Sequence, residues 1–234
     1  MDGDGGAQGP IRPFGGAQEE KCVALEGERD EGDEVAHCGE YKVWLVLFRA
    51  MNIGGKNVIR MKELSAAFDA RPMFNRAPVV TYIQTGNLIL TSNAERDELQ
   101  LEISDVLENL KLSCSFVVHP ADLLTKVLRR SHFTLGEDSP SRYLVYFALG
   151  EVSKGGLEAL SLQKGEDEQL HFDEELNLLF LFSPGGLRSS KVAGKIEKLL
   201  QCGLTARNWR TLLQLRALLE RQCDSLLNMT ASSM

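Results

Sequence analysis

The chain has 234 residues, 43% hydrophobic and 25% charged, an ordinary balance for a globular protein with one large domain or two small ones. No apolar run reaches the ~18 residues of a membrane span and no basic-then-apolar leader opens the chain, so a cytoplasmic location without a membrane partner is expected. The net charge of -7 is local, because 11 of the 33 acidic residues but only three of the 26 basic ones fall in residues 1–40; the near-neutral remainder does not supply a general nucleic-acid-binding surface.

Residues 1–40 are rich in Gly and Glu and have little apolar periodicity, which predicts a disordered acidic tail. Tyr41 to Phe48 is a continuous apolar and β-branched run that reads as a buried strand, and an Asn-Ile-Gly-Gly-Lys-Asn loop follows it. Met61, Leu64 and Phe68 share a helical face. Val79–Gln84 and Leu88–Thr91 read as strands around the turn-rich Thr85-Gly86-Asn87. Leu99, Ile103, Val106, Leu107 and Leu110 recur at helical spacing, and Ser113–Val118 returns to strand character. After a connecting helix with Leu123, Leu124, Val127 and Leu128 the pattern restarts. Arg142–Leu149 reads as a strand, Leu157–Leu162 as a short helix and Gln169–Asp173 with Leu176–Phe182 as a hairpin; Val192, Ile196, Leu199 and Leu200 form a helical face, and Leu212, Leu215 and Leu219 mark a last helix.

This order predicts an α+β fold of two tandem ferredoxin-like (split βαβ) modules with antiparallel sheets and a C-terminal helix. The first module spans residues 41–119, the second module with its helix 120–221, and 222–234 form a tail. The second unit shows no obvious fourth strand, since Gly203–Ala206 is too short to supply one.

Polar motifs beside apolar segments mark the candidate site. Gly54 and Gly55 permit backbone angles closed to other residues, so consecutive N–H groups can converge on an anion while Lys56 adds charge; the same residues also make a tight turn. Gln84, Thr85 and Asn87 lie where strand ends can approach Asn52, or serve a hairpin alone. Gly185 to Lys191 places glycines, hydroxyls and cations before a helical stretch, which suits an anion, although Ser189 or Ser190 is equally an N-cap. Thr205-Ala206-Arg207-Asn208-Trp209 combines capping residues with a guanidinium and a large aromatic, so Arg207 can grip a phosphate or carboxylate, or pair with a nearby acid.

Taken together, these motifs resemble the uncharacterised, mainly bacterial family catalogued as domain of unknown function 1697, from Tyr41 to about Leu219. The family's R-G-I-N-V-G-G-K-N stands here as Arg49-Ala50-Met51-Asn52-Ile53-Gly54-Gly55-Lys56-Asn57 and its Y-[IL]-Q-S-G-N as Tyr82 to Asn87; its S-K pair is Ser190-Lys191 and its T-x-R-N-W is Thr205 to Trp209. Ala50 replaces a glycine and Thr85 a serine. The resemblance implies an α+β fold and carries no established substrate, cofactor or activity.

The function expected is binding of a small anionic ligand, phosphorylated or nucleotide-like, in a cleft between the modules. Its candidate residues are Arg49, Asn52, Gly54, Gly55, Lys56, Gln84, Thr85, Asn87, Ser190, Lys191, Thr205, Arg207 and Asn208, with Arg49, Lys56, Lys191 and Arg207 converging on one anion. The alternatives are a nucleic-acid-binding module, disfavoured because no aromatic-rich RNP strand is present, and a protein-interaction domain. No catalytic role is assigned and no cofactor is expected. Five cysteines without a CxxC pair predict no metal site, and His37, His119, His132 and His171 are linked by no spacing to a nucleophile.

Overall fold

The computed structural model describes residues 37–38, 41–130, 132–133 and 140–231, all within one compact unit, Asp33–Met234. Apart from His37–Cys38, the expected acidic tail lies outside the described residues. Elements follow in the order β1 (His37–Cys38), β2 (Tyr41–Phe48), α1 (Met61–Asp69), β3 (Val80–Tyr82), β4 (Asn87–Ser92), α2 (Arg96–Asn109), β5 (Phe116–Pro120), α3 (Asp122–Arg129), β6 (Tyr143–Ala148), α4 (Lys154–Gln163), β7 (Gln169–Asp173), β8 (Leu178–Phe182), α5 (Ile196–Leu200), β9 (Leu204–Asn208) and α6 (Trp209–Ala231).

The first sheet runs β3-β4-β2-β5, with β1 pairing the start of β2; the second runs β7-β8-β6-β9, and every pairing is antiparallel. In each, the first strand of the module lies between its third and fourth, which is the split βαβ arrangement. The α+β fold of two ferredoxin-like modules with a C-terminal helix is therefore present.

Period-two alternation explains why β2 and β6 read as unbroken apolar runs: both faces of each are buried. Val43, Leu45 and Leu47 of β2 face a central core shared with Tyr143, Val145 and Phe147 of β6, whereas Trp44, Val46 and Phe48 face an outer core against α1 and α2. Leu144 and Tyr146 face a third core with Leu160 of α4 and Ile196 and Leu200 of α5. The central core is closed by Leu123, Leu124 and Val127 of α3 and by Trp209, Leu212, Leu215 and Leu219 of α6. The sheet faces that helices leave uncovered in each module thus share one apolar interior.

Two boundaries differ from expectation. The missing fourth strand is β9, which pairs Leu204–Asn208 against Ala148–Leu144 of β6. Its polar sequence resembles a helix cap, yet the open edge of β6 needs a hydrogen-bonding partner and Leu204 and Ala206 fill the third core. The helix that follows continues past residue 221, replacing the expected tail up to Ala231. Gln222 and Leu226 keep its buried stripe going, and the Gln222 amide donates to Pro78 O at 3.0 Å and Thr91 Oγ1 at 3.4 Å.

Candidate functional site

The Asn52–Asn57 loop is a miniature hairpin. Lys56 N–H donates to Ile53 O at 3.3 Å and Asn52 N–H to Asn57 O at 3.1 Å, around Gly54 at φ 63° and Gly55 at φ 74°. Two consecutive positive φ values make a primed turn, the form that suits a two-residue hairpin and favours Gly-Gly. The flanking asparagines anchor it. Asn52 Nδ2 donates to Ile59 O and Gln84 O at 3.0 and 2.9 Å, and its Oδ1 accepts from Ile59 N–H; Asn57 exchanges a pair of hydrogen bonds with the backbone of Ser113. Gly54, Gly55 and Lys56 remain exposed, as do Gln84 and Thr85. Ala50, where the family motif carries glycine, sits at φ 57°, a conformation that costs an L-residue about 1–2 kcal/mol.

Arg207 is the hub of the second cluster and is only 7% exposed. Strand alternation turns Thr205 and Arg207 away from the third core and toward the first module. There Arg207 Nε donates to Asn87 Oδ1, Nη2 to Phe48 O at 3.0 Å, Gly86 O at 2.9 Å and Thr85 O at 3.4 Å, and Nη1 to Thr205 Oγ1 and Ala206 O, each at 2.8 Å. Thr205 Oγ1 donates in turn to Phe48 O at 3.1 Å. Burial lowers the guanidinium pKa to about 10, so the group stays charged at neutral pH. Gly86 lets the backbones meet, because a Cβ there would lie 2.8 Å from Phe48 Cβ and its φ is +82°.

The remaining expected ligands are matched elsewhere within the chain. Arg49 makes a two-pronged ion pair with Glu197, at 2.9 and 2.8 Å, and hydrogen bonding to Arg49 draws the Glu197 carboxyl below its ordinary pKa. The Gly185–Lys191 loop already holds an anion from the chain itself. Glu168, 3% exposed, accepts from Gly165 N–H at 2.7 Å and Lys191 N–H at 3.3 Å. Burial pushes this carboxyl upward, but hydrogen bonding from Ser190, Gly165, Lys191 and Ser183 outweighs it and the pKa falls. Ser190 Oγ accepts from Ala193 N–H at 3.0 Å at the start of the 3-10 turn Ala193–Lys195, and Asn208 Oδ1 caps α6 by accepting from Thr211 N–H at 2.8 Å. Arg49 and Arg207 are thus served by separate internal partners rather than a shared anion, whereas of Lys191 it is the backbone N–H that meets Glu168. Lys56 has no ion pair among the described residues.

A cleft of about 350 Å³ opens where β5 and α2 of the first module meet α3, β6 and the β7–β8 turn. Arg96, His119, Asp122, Lys126, Glu175 and Asn177 supply its polar lining. Along β5, Val117 belongs to the central core and Val118 to the outer one, so alternation turns His119 toward the second module, with its ring centroid 5.8 Å from that of Phe147. His119 Nε2 and Asp122 Oδ1 are buried without hydrogen-bond partners among the described residues, each at a cost of about 1–3 kcal/mol that a bound group can relieve. Lys126 Nζ contacts the other Asp122 oxygen at 3.1 Å, Glu175 is paired with Arg130 at 2.6 Å, and Arg96 makes no ion pair among the described residues. A larger depression of about 690 Å³ beside α2 is lined by Glu98, Glu102 and Asp105, a set that repels anions. The smaller cleft has the more versatile chemistry. Sequence reading missed it because a lone His before Pro carries no signal until β5 is docked.

Burial, assisted by Arg96 and opposed by Asp122, lowers the His119 pKa from 6.5 to about 4. Between those values the unfolded chain takes up a proton that the folded protein refuses, so this contribution to stability is complete above pH 6.5 and is lost as pH falls toward 4. We expect urea titrations to register a loss of up to about 3 kcal/mol across this window, and the His119→Phe variant to be flatter by that amount. His132, also shifted downward, adds to the slope of both proteins, so the difference between them is the measurement. Equal slopes would place the His119 ring in water.

A family model described as "Protein of unknown function (DUF1697)" matches residues 41–176, from β2 to the β7–β8 turn. Among solved structures, the conserved bacterial protein SP0830 from Streptococcus pneumoniae is similar, with a TM-score of 0.57 and 19% identity over 76% of this chain and 99% of that one. This likeness concerns the fold. No curated protein matches the chain.

Proposed function

Since the chain belongs to the DUF1697 family, a family without an assigned activity, we propose from the site's chemistry that it binds a small anionic ligand in the cleft between its two modules. The observation that carries this reading is Arg96, unpaired among the described residues, in the same cleft as the partnerless Nε2 of His119. A guanidinium offers two parallel donors to phosphate or carboxylate. A neutral imidazole can add another without bringing a charge of its own. The family motifs, on this view, build the scaffold: Arg207, Asn52, Asn87 and Thr205 are engaged in joining its parts.

Titration calorimetry with inorganic phosphate and simple phosphate esters tests the proposal. We expect Arg96→Gln to weaken binding at least about tenfold, equivalent to ~1.4 kcal/mol, with the melting temperature of the unliganded protein unchanged. Arg49→Gln, outside the cleft, should bind as the parent does. Absence of binding by the parent, or equal binding by the Arg96 variant, overturns the reading.

One observation favours a second reading, a protein-interaction surface at the glycine hairpin. Ile53, Val58 and Ile83 are 55%, 68% and 45% exposed, and the Asn52–Gln84 hydrogen bond ties their segments together. Ile83 is held at φ 49°, an uncommon conformation for a β-branched residue. A Lys56→Glu variant that loses a binding partner while keeping phosphate affinity supports this reading; one that loses phosphate affinity returns the hairpin to the ligand site.

A further inference from the structure

Resting on the cleft reading, we infer that the ligand carries an ammonium group as well as its anionic group, a small amine phosphate being the class that fits. The lining has two signs. Arg96 and Lys126 provide positive charge, and Asp122 and Glu175 negative charge. A plain anion meets the first pair and is repelled by the second.

The two carboxylates are not equivalent. Glu175 has its charge answered by Arg130 at 2.6 Å. Asp122 meets Lys126 through Oδ2, at 3.1 Å, and leaves Oδ1 buried with no donor. A carboxylate oxygen can only accept, so the group that satisfies it must bring an N–H or O–H. An ammonium brings such donors and an opposing charge, and charge-assisted hydrogen bonds are roughly twice as strong as neutral ones.

Neighbouring groups support this choice. Asn177 Nδ2 donates to Gly150 O at 3.2 Å, which leaves its side-chain oxygen as a second acceptor at the rim. His119 is neutral at pH 7 and does not repel a cation. A volume of about 350 Å³ is at the small end of ligand pockets and suits a compound of a few carbons rather than a dinucleotide.

The test compares 2-aminoethyl phosphate with ethyl phosphate, two esters with the same two-carbon chain that differ in the terminal amine, by titration calorimetry on the full chain. The amine should bind at least about tenfold more tightly, the factor expected of one added charge-assisted contact worth ~1.4 kcal/mol. Asp122→Asn keeps side-chain volume and removes charge, so it should bring the two compounds within about threefold while leaving ethyl phosphate binding at least as tight as in the parent. Equal affinities in the parent overturn the ammonium assignment and leave the anion site standing. Binding of neither compound removes both. The same chemistry occurs in lipid headgroups, so vesicles containing phosphatidylethanolamine form a third arm: the free compound binding without vesicle cosedimentation supports a small-molecule ligand, and vesicle binding alone overturns it.

Discussion

Replacing Arg207 by Ala is expected to lower stability by about 3–5 kcal/mol, measured by urea denaturation at neutral pH without ligand. The side chain is buried and its donors serve Asn87 Oδ1, Phe48 O, Thr85 O, Gly86 O, Thr205 Oγ1 and Ala206 O. Some of these acceptors keep another donor: Phe48 O retains Thr205 Oγ1, and Gly86 O retains Phe48 N–H. Asn87 Oδ1 keeps none among the described residues and stays 0% exposed, so its desolvation is uncompensated in the variant. Arg207→Met separates the causes, because it fills much of the volume and supplies no donor. We expect Met to recover the cavity part and leave a deficit of about 1–3 kcal/mol. Lys should not restore the parent, since a single ammonium cannot reach acceptors spread around a planar fork. A loss below about 1 kcal/mol in the Ala variant would mean that water replaces the guanidinium, and the cluster would have to be read as an open polar site.

Trp209→Ala should cost a similar amount, about 3–5 kcal/mol, by a different mechanism. The indole is 6% exposed and stacks on Tyr143 with ring centroids 4.6 Å apart and planes 15° apart. Tyr143 lies 5.1 Å from Phe133 and 6.1 Å from Phe180, so the indole belongs to an aromatic group between α6 and the second sheet. Truncation leaves a cavity and removes the stacking contact, itself worth about 0.5–1.5 kcal/mol. Trp209→Phe should retain more than half of the lost stability. The cleft lies elsewhere, so phosphate binding by the folded Phe variant should match the parent, and a large fall in affinity at unchanged stability would tie Trp209 to the ligand instead. Arg207 and Trp209 are two positions apart in one short motif, but their strand and helix positions direct them to a polar junction and an apolar one respectively.

Periodicity carried much of the fold. Tyr41–Phe48 announces a strand buried on two faces, and Leu99, Ile103, Val106 and Leu107 announce the helix against it. β9 was illegible because Thr and Asn are common capping residues; what makes Leu204–Asn208 a strand is the unpaired edge of β6, a tertiary fact. The length of α6 was hidden for a related reason, since the buried stripe passes through the polar Gln222. The site was less legible. Arg207 and Asn52 stand out by composition, but sequence cannot tell a guanidinium facing a ligand from one facing carbonyls more than a hundred residues away. Glu168 stands in the acidic run Glu166-Asp167-Glu168, which by sequence suits a solvated turn, and its burial against Gly165 and Lys191 is a product of tertiary packing. The cleft around His119 unites residues from Arg96 to Asn177, and no local pattern connects them.

The long reach of Arg207 also bears on how the protein emerges from the ribosome. Asn87 and Gly86 wait for a donor that follows them by 120 and 121 positions, and Phe48 for one 159 positions later. At synthesis rates of about 5–20 residues per second, the shortest of these intervals lasts about 6–24 s. For the first part of it, until β6 and β8 have followed, the Val43, Leu45, Leu47 and Ile89 face of the first sheet has no second sheet against it. The two modules look alike in topology, yet the earlier one is made with half of its interior still untranslated, so nascent chains paused before β6 are the species most exposed to aggregation and to capture by chaperones.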